Sequence, residues 1–157
     1  MLEIVYYFKE KEIEMQKILF KGKSIKDGKW VKGYCVVSDD KTFIGMDAVE
    51  HYCVPALRWF EVDPETICQF TGLVDENGKR IWENDVVIYE KQYAPVKFGL
   101  YRQSMYYYKN IYGFYVDFPE ETLLRKDFGF WHKKVEVIGN IFDNPELLQR
   151  IGNERKD

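Results

Sequence analysis

Short runs of alternating apolar and polar residues, separated by turn residues, are the main pattern of this chain. The segment Lys134–Val137 alternates charged residues with valine, as a half-buried strand does. Asp27-Gly28 and Asn77-Gly78 each lie between two apolar runs, which is typical of hairpin turns because glycine adopts the positive φ that they need. Strands are therefore predicted over Lys17–Phe20, Trp30–Val37, Thr42–Ile44, Leu57–Val62, Phe70–Leu73, Lys79–Trp82, Asp85–Glu90, Pro95–Tyr101 and Lys134–Val137.

Three segments between these strands carry other signals. Asp47–Tyr52 fits one helical turn. Met105–Val116 is rich in tyrosine, and this favours two further strands that meet around residues 109–110. Phe118–Lys126 is ambiguous, because Pro119 followed by two glutamates fits the start of a short helix.

The end of the chain carries a clear helix signal. Asn144 is a good N-cap, Pro145 suits the first helical position, and Gly152 can lie just past the end. The sequence predicts a helix over Pro145–Ile151, and three apolar residues share the face expected to pack on the rest of the protein: Leu147, Leu148 and Ile151.

Composition supports a β-rich chain, and the overall charge does not favour binding to nucleic acid or to a membrane. The 157 residues suit one domain or two small lobes with a shared core, and aromatic residues make up 17% of them. The charges nearly balance, with 23 basic and 26 acidic residues, so no strong overall field favours nucleic acid or a membrane.

Signals for secretion or membrane insertion are absent from the sequence pattern. No run of 18 or more apolar residues occurs, so no transmembrane helix is predicted. The segment Lys9–Glu12 is charged where a signal peptide needs an apolar core, and the expected location is therefore the cytoplasm.

Three blocks of the sequence carry a family resemblance: KILFKGKSIKDGKWVKGYCV at Lys17–Val36, VDPETICQFTGLVDENGKRIWENDVV at Val62–Val87, and VIGNIFDNPELL at Val137–Leu148. They resemble the YopX family, small proteins found largely in phages and prophages of Gram-positive bacteria. Asn84 stands where family members are expected to have glycine, a mild departure because asparagine also tolerates a left-handed backbone. The resemblance implies a mainly β protein whose second half is a small SH3-like barrel, and it implies no activity.

The predicted fold is mainly β, with an N-terminal β meander lobe, a C-terminal SH3-like small barrel and a short C-terminal helix. The expected domains are an N-terminal extension over residues 1–14, the β lobe over 15–82, and the barrel with helix 145–151 over 83–157. We expect that natural translation starts at Met15, because Lys11-Glu12 can be encoded by a ribosome-binding sequence upstream of it.

Residues for catalysis or metal binding do not form a recognisable set. The two histidines, His51 and His132, have no ligand partners at a metal-site spacing. The acidic clusters lie in predicted turns, where Asp75 is expected to bond the backbone of its own turn and Asp85 to accept backbone N–H groups from the preceding bend. The three cysteines are expected to be buried free thiols: Cys35, Cys53 and Cys68. No cofactor or metal is predicted.

Five lysines around the first hairpin are the candidate nucleic-acid-binding residues: Lys21, Lys23, Lys26, Lys29 and Lys32. So much positive charge in 12 residues could follow a phosphate backbone. The competing interpretation is a solvated edge strand, where lysine prevents aggregation between sheets.

Aromatic residues of the second half are the candidate partner-binding residues: Tyr101, Tyr107, Tyr108, Tyr115 and Trp131. Residues alternate along a strand, so one face of the tyrosine-rich segment should fill the core while the other is exposed. Exposed tyrosine is a good interface residue because it supplies a large area with little rotamer entropy.

The leading functional interpretation is a non-enzymatic phage or prophage protein that acts as a protein-interaction or self-assembly module. Its partners would be further copies of itself, or phage or host proteins, and no membrane is expected. The first alternative is nucleic-acid binding through the lysines, with tyrosines stacking on unpaired bases. The second is a small enzyme that uses the turn carboxylates and His132.

Overall fold

A computed structural model describes residues 18–48, 56–104, 107–119 and 125–153. Within these ranges the fold is mainly β with antiparallel sheets, as predicted, and has two short helices where the sequence predicted one at the C-terminal end. Three expectations fall wholly or largely outside the described residues: the extension over 1–14, the helical turn over 47–52 and the helix start at 119–121.

The first half forms a six-stranded antiparallel sheet. Its strands are β1 Phe20–Lys23, β2 Trp30–Ser38, β3 Lys41–Ala48, β4 Ala56–Val62, β5 Cys68–Val74 and β6 Arg80–Trp82. Their order across the sheet is β4-β3-β2-β1-β5-β6, so the predicted meander is confirmed and β1 lies inside the sheet between β2 and β5. The segment before β5 forms a single 3-10 turn, Pro64–Thr66.

The meander curls until its fourth strand meets the end of its first. Ser24 forms a β-bridge with Val62, and the Ile25 N–H donates to the Glu61 carbonyl at 3.1 Å. The inner face of this curled sheet buries a small cluster of apolar side chains, among them Val31, Ile44 and Val62. The outer face is left to carry polar and aromatic side chains.

The second half contains two smaller antiparallel sheets. One has three strands in the order β11-β7-β8, formed by β7 Asp85–Tyr89, β8 Gln92–Pro95 and β11 Glu136–Asn140. The other is a two-stranded ribbon of β9 Lys97–Ser104 and β10 Tyr107–Tyr115. The helices are α1 Phe128–Trp131 and α2 Glu146–Asn153.

Two strand predictions are wrong in this half. The tyrosine-rich segment forms the single strand β10, because β9 pairs with it from Tyr115 to Tyr107 with one irregularity. The predicted strand Pro95–Tyr101 is divided at Val96, whose N–H donates to the Asp85 carbonyl at 2.8 Å instead of joining the ribbon.

One apolar cluster joins these elements. It consists of buried side chains from β6, β7, β8, β11, α1 and the segments between them: Ile81, Val87, Ala94, Val96, Val116, Phe118, Phe128, Trp131, Val135 and Val137. Helix α2 confirms the predicted helix at Pro145–Ile151, but it runs on to Asn153, so Gly152 lies inside the helix and not past its end. The helix buries Leu147. Leu148 is exposed, so the expected apolar face is narrower than predicted.

Candidate functional site

A buried ion pair joins the two halves of the protein. Lys21 on β1 places its Nζ 2.6 Å from Asp85 Oδ1 at the start of β7. The other oxygen of Asp85 accepts the Trp82 N–H at 2.8 Å, which confirms the predicted bond to the preceding bend. Both side chains are buried, so this pair fixes one positive and one negative group in the wall between the halves.

The surroundings of the pair are partly aromatic. Lys21 Nζ lies 4.9 Å from the centroid of the Trp30 ring and 5.6 Å from that of Trp82, distances at which a cation is attracted to the ring face. Burial raises the pKa of the Asp85 carboxyl, while the Lys21 ammonium and the Trp82 N–H act in the opposite sense. The Lys21 ammonium thus contacts the Asp85 carboxylate and two indole rings, those of Trp30 and Trp82.

A cleft of about 370 Å³ opens beside this pair. Its walls come from β1, β2, β6, β7 and β11: Lys21, Lys32, Lys79, Arg80, Trp82, Asp85, Val137, Gly139 and Asn140. Four of these residues are cationic and one is acidic, so the lining carries a clear excess of positive charge at neutral pH. We call this site the cationic cleft.

Three of the cationic side chains reach the cleft from exposed positions. Lys79 Nζ donates to the Val137 carbonyl at 2.9 Å. Lys32 Nζ lies 5.8 Å from the Trp82 ring centroid, and the Arg80 guanidinium lies 5.5 Å from that of Phe70. The charged ends of Lys32 and Arg80 thus lie near aromatic rings, and because all three residues are exposed, an anionic ligand can reach them.

The structure brings together two of the five candidate lysines. Lys21 and Lys32 line the cationic cleft, whereas Lys23 forms an ion pair with Asp143 at 2.6 Å. Lys26 lines a second pocket at the hairpin turn, and Lys29 lies 4.0 Å from the Asp27 carboxylate.

The other two cationic residues of the cleft, Lys79 and Arg80, were missed by sequence reasoning. They follow the Asn77-Gly78 turn as a basic pair. Their positions in the sequence do not indicate that they lie near Lys32. They do so because β5 pairs with β1, which brings β6 to the same part of the sheet as β2.

The candidate partner-binding aromatics occupy three different environments. Tyr101 and Tyr115 stack on one another with their ring centroids 5.0 Å apart, and burial raises the pKa of the Tyr101 hydroxyl. Tyr107 and Tyr108 lie at the start of β10. Trp131 lies in the core with 3% of its surface exposed, because its ring packs against neighbouring aromatic rings, so a partner cannot reach it at the surface.

The ribbon shows other aromatic and aliphatic side chains to solvent. Tyr112 pairs with Leu100 across the two strands, and they are 70% and 63% exposed. Phe98 lies beside them, with its ring centroid 5.0 Å from that of Tyr112. We call Phe98, Leu100 and Tyr112 the ribbon face, and the sequence did not single it out because the pairing of β9 with β10 was not predicted.

Three of the groups invoked for an enzyme form structural bonds. Asp75 and Asp85 accept backbone N–H groups, and the Nδ1 of His132 lies 2.9 Å from the Val74 carbonyl, to which it can donate. In the part of the chain that the structure describes, no three His, Cys, Asp or Glu side chains are grouped to hold a metal ion. Nor is any helix in those ranges long and apolar enough to cross a membrane.

Fold and site together define a mainly antiparallel β protein with a cationic cleft between its halves. The sequence model of the YopX protein matches residues 7–149, and the chain belongs to the YopX family. The resemblance carried by the three sequence blocks is thereby confirmed. A comparison with curated proteins finds no match.

Proposed function

We propose that this chain is a non-enzymatic binding protein and that the cationic cleft binds the sugar–phosphate backbone of single-stranded nucleic acid. The observation that carries the proposal is the lining of the cleft, in which four cationic side chains face one carboxylate. That carboxylate, Asp85, is already paired with Lys21. The exposed cations Lys32, Lys79 and Arg80 are thus left to attract anionic groups.

The size of the cleft favours a single strand. A volume of about 370 Å³ lies in the range of small-ligand pockets. A cleft of this size is too small to enclose a duplex, whereas a short single-stranded segment fits within it. A groove that follows the backbone of one strand by its charge is the usual basis of binding without sequence preference.

Charge reversal tests this proposal. We expect Lys32→Glu with Arg80→Glu to weaken binding to a fluorescent single-stranded oligonucleotide at least about tenfold at low salt. The slope of log K against log salt should become shallower by about 1.4, since each lost phosphate contact removes about 0.7 for a single strand. Fluorescence anisotropy across a salt series measures both quantities.

The matched control is Lys97→Glu with Lys133→Glu. It makes the same change in net charge at two exposed lysines outside the cleft. Equal losses in the two double variants would show that overall charge, not the cleft, attracts the oligonucleotide. Failure of the unaltered protein to bind at low salt would overturn the proposal outright.

Self-association through the ribbon face is the second candidate function. The observation that favours it is the exposure of Phe98, Leu100 and Tyr112 side by side on a two-stranded sheet. Contiguous exposed apolar groups of this kind are typical of interaction sites. We infer further that the ribbon and the β11-β7-β8 sheet together form an SH3-like barrel, which the single cluster beneath them supports.

The cellular setting proposed for both functions is that of the family. We propose a phage or prophage protein that acts in the cytoplasm of the host bacterium, with nucleic acid, a second copy or a phage or host protein as its partner. The family match supports this setting.

A further inference from the structure

The outer face of the curled sheet carries a flat aromatic site. Tyr34, Gly45 and Trp59 are paired across β2, β3 and β4, so their positions form one row on one face. A Cβ atom on Gly45 would come within 2.8, 2.9 and 3.0 Å of Cζ3, Cη2 and Cε3 of the Trp59 ring. Since these three consecutive ring atoms are almost equally distant from one point, that point lies over the face of the ring.

Glycine at this position therefore lets the indole lie flat on the sheet. One face of the Trp59 ring packs on the backbone of Gly45, and the residue is still 47% exposed. Tyr34 is partly exposed at the next position of the same row. We call Tyr34, Gly45 and Trp59 the aromatic shelf.

The aromatic shelf continues the cationic cleft. Lys32 and Tyr34 are two residues apart on β2, so their side chains lie on the same face of the sheet. Lys32 is paired with Lys21 across β1 and β2. A ligand that leaves the cleft past Lys32 along this face next meets the shelf.

More cations lie on the far side of the shelf. Trp59 lines a pocket of about 540 Å³ at the hairpin turn together with Lys26 and Arg58. The two acidic residues of that pocket have cationic partners outside it, because Glu61 forms an ion pair with Lys41 at 3.2 Å and the Asp27 carboxylate lies 4.0 Å from the Lys29 ammonium. The exposed ring is thus flanked by positive charge on two sides.

We propose that the aromatic shelf stacks an unpaired base of a nucleic acid strand whose phosphates lie in the cationic cleft and at Lys26 and Arg58. The inference deepens the proposed function and rests on it. Stacking suits any base because every base has a π face, and a flat, backbone-supported indole loses little freedom on binding. Cations on both sides favour a phosphate-bearing ligand over an apolar peptide.

Two variants test the shelf by opposite routes. Trp59→Leu removes the ring, whereas Gly45→Ala keeps the ring but pushes it off the sheet through the contact described above. We expect both to weaken binding of an oligothymidylate of about 12 nucleotides, Trp59→Leu by about tenfold or more. Tyr112→Leu, which removes an exposed aromatic ring from the ribbon, should leave binding unchanged.

Tryptophan fluorescence distinguishes stacking of a base on Trp59 from electrostatic attraction of the phosphates alone. Binding should quench the emission of the unaltered protein, because a base on Trp59 contacts its indole, and Trp59→Leu should remove the part of the quenching that comes from this ring. A strand of equal length with abasic sites should bind the unaltered protein more weakly and without quenching. Unfolding curves of all variants serve to check that each variant retains the fold.

The outcomes distinguish the shelf from the cleft. Normal binding and quenching in Trp59→Leu, or equal binding of abasic and base-bearing strands, would overturn the shelf while the cleft stands. No binding by the unaltered protein at low salt would overturn both, and would assign the exposed aromatic groups to a protein partner instead.

Discussion

Asp75 shows how one side chain can join two separate parts of the chain. Its Oδ1 accepts the N–H groups of Asn77 and Lys79 at 2.9 and 2.8 Å, which closes the turn between β5 and β6. Its Oδ2 accepts the Val137 N–H of β11 at 2.9 Å. The carboxylate is buried, so these three bonds replace the water that it loses on folding.

We expect Asp75→Ala to lower the free energy of unfolding by roughly 2–4 kcal/mol, because it leaves three backbone N–H groups without an acceptor, one of them buried. Asp75→Asn should cost less, since the amide oxygen can still accept the two turn bonds. Urea unfolding at neutral pH measures both changes. A loss below about 0.5 kcal/mol in Asp75→Ala would contradict the role of this residue.

At the residue scale, the sequence predicted local bonds and missed distant ones. Asn84 adopts a φ of 64°, the left-handed conformation expected of a residue that replaces glycine. The turn bonds of Asp75 and the bond from Trp82 to Asp85 join neighbours in sequence, and turn chemistry sufficed to predict them. Lys21 and Asp85 are 64 residues apart, and no local rule relates their positions.

At the scale of elements, a polar cluster attaches the β1–β2 hairpin to the loop between β11 and α2. Asp143 receives the Trp30 indole N–H at 2.6 Å through one oxygen, and the Lys23 ammonium lies 2.6 Å from the other. The Trp30 ring also meets the Phe142 ring edge to face, with centroids 5.9 Å apart. This cluster fixes the hairpin that carries the lysines of the cationic cleft.

The cluster should make stability depend on acid pH. Burial opposes ionisation of Asp143, but hydrogen bonds from Asn140, Lys23 and Trp30 outweigh it and lower the pKa to about 2. A carboxyl with a lowered folded-state pKa stabilises the fold above its ordinary pKa, near 3.8, and loses this effect as the pH falls towards 2. Because the side chain is 39% exposed, solvent screening limits the effect to about 1 kcal/mol.

We therefore expect Asp143→Asn to be less stable than the unaltered protein by about 1 kcal/mol at pH 6, with the difference vanishing near pH 2. Urea unfolding at several pH values measures the difference. Asp40→Asn, at an exposed turn aspartate, is the control and should show no such trend. A difference that stays constant from pH 6 to pH 2 would refute the assignment.

Elements were predictable where turn residues mark both ends. Gly28 and Gly78 have φ values of 68° and 80°, as the two hairpin turns require. The strands beside them lie close to the predicted segments except β1, which begins at Phe20, the residue where the predicted strand Lys17–Phe20 ends. The division of the tyrosine-rich segment into two strands failed because Lys109-Asn110 resembles a turn. Strand β9 pairs with β10 on both sides of an irregularity between Tyr107 and Asn110, so one strand runs through the expected turn and pairing overrides the local signal.

At the scale of the whole molecule, the ribbon face is the site proposed for self-association. We expect the unaltered protein to form dimers or larger oligomers, and Leu100→Lys with Tyr112→Ser to raise the dissociation constant at least about tenfold, because charge and lost area disrupt an apolar contact. Sedimentation velocity over a range of protein concentrations measures this constant.

Val37→Lys with Tyr34→Ser is the matched control. It places a charge and removes an aromatic ring at exposed positions of β2 in the six-stranded sheet, away from the ribbon. Similar effects in the two double variants would show that general surface polarity controls association. A protein that remains monomeric at all concentrations would exclude the ribbon face as a self-association site.

The class of fold followed from the alternation, the turn pairs and the aromatic content, but the assembly of the halves did not. The cationic cleft draws its cations from β1, β2 and β6, which lie together only because β1 is the shared neighbour of β2 and β5. Similarly, the Trp59 ring lies flat on the sheet only because Gly45 is its partner across the strands. Both sites depend on register, which one sequence does not reveal.

The interior position of β1 has a consequence for synthesis on the ribosome. This strand is among the first described elements to emerge. However, it pairs with Cys68 and Gln69 of β5, and the residue that follows it, Ser24, pairs with Val62, so its partners emerge much later. A nascent chain of fewer than about seventy residues beyond the exit tunnel therefore carries a half-paired strand whose free edge can join another polypeptide. Rapid elongation through that stretch, or a chaperone at the tunnel mouth, would protect the nascent chain from such mispairing.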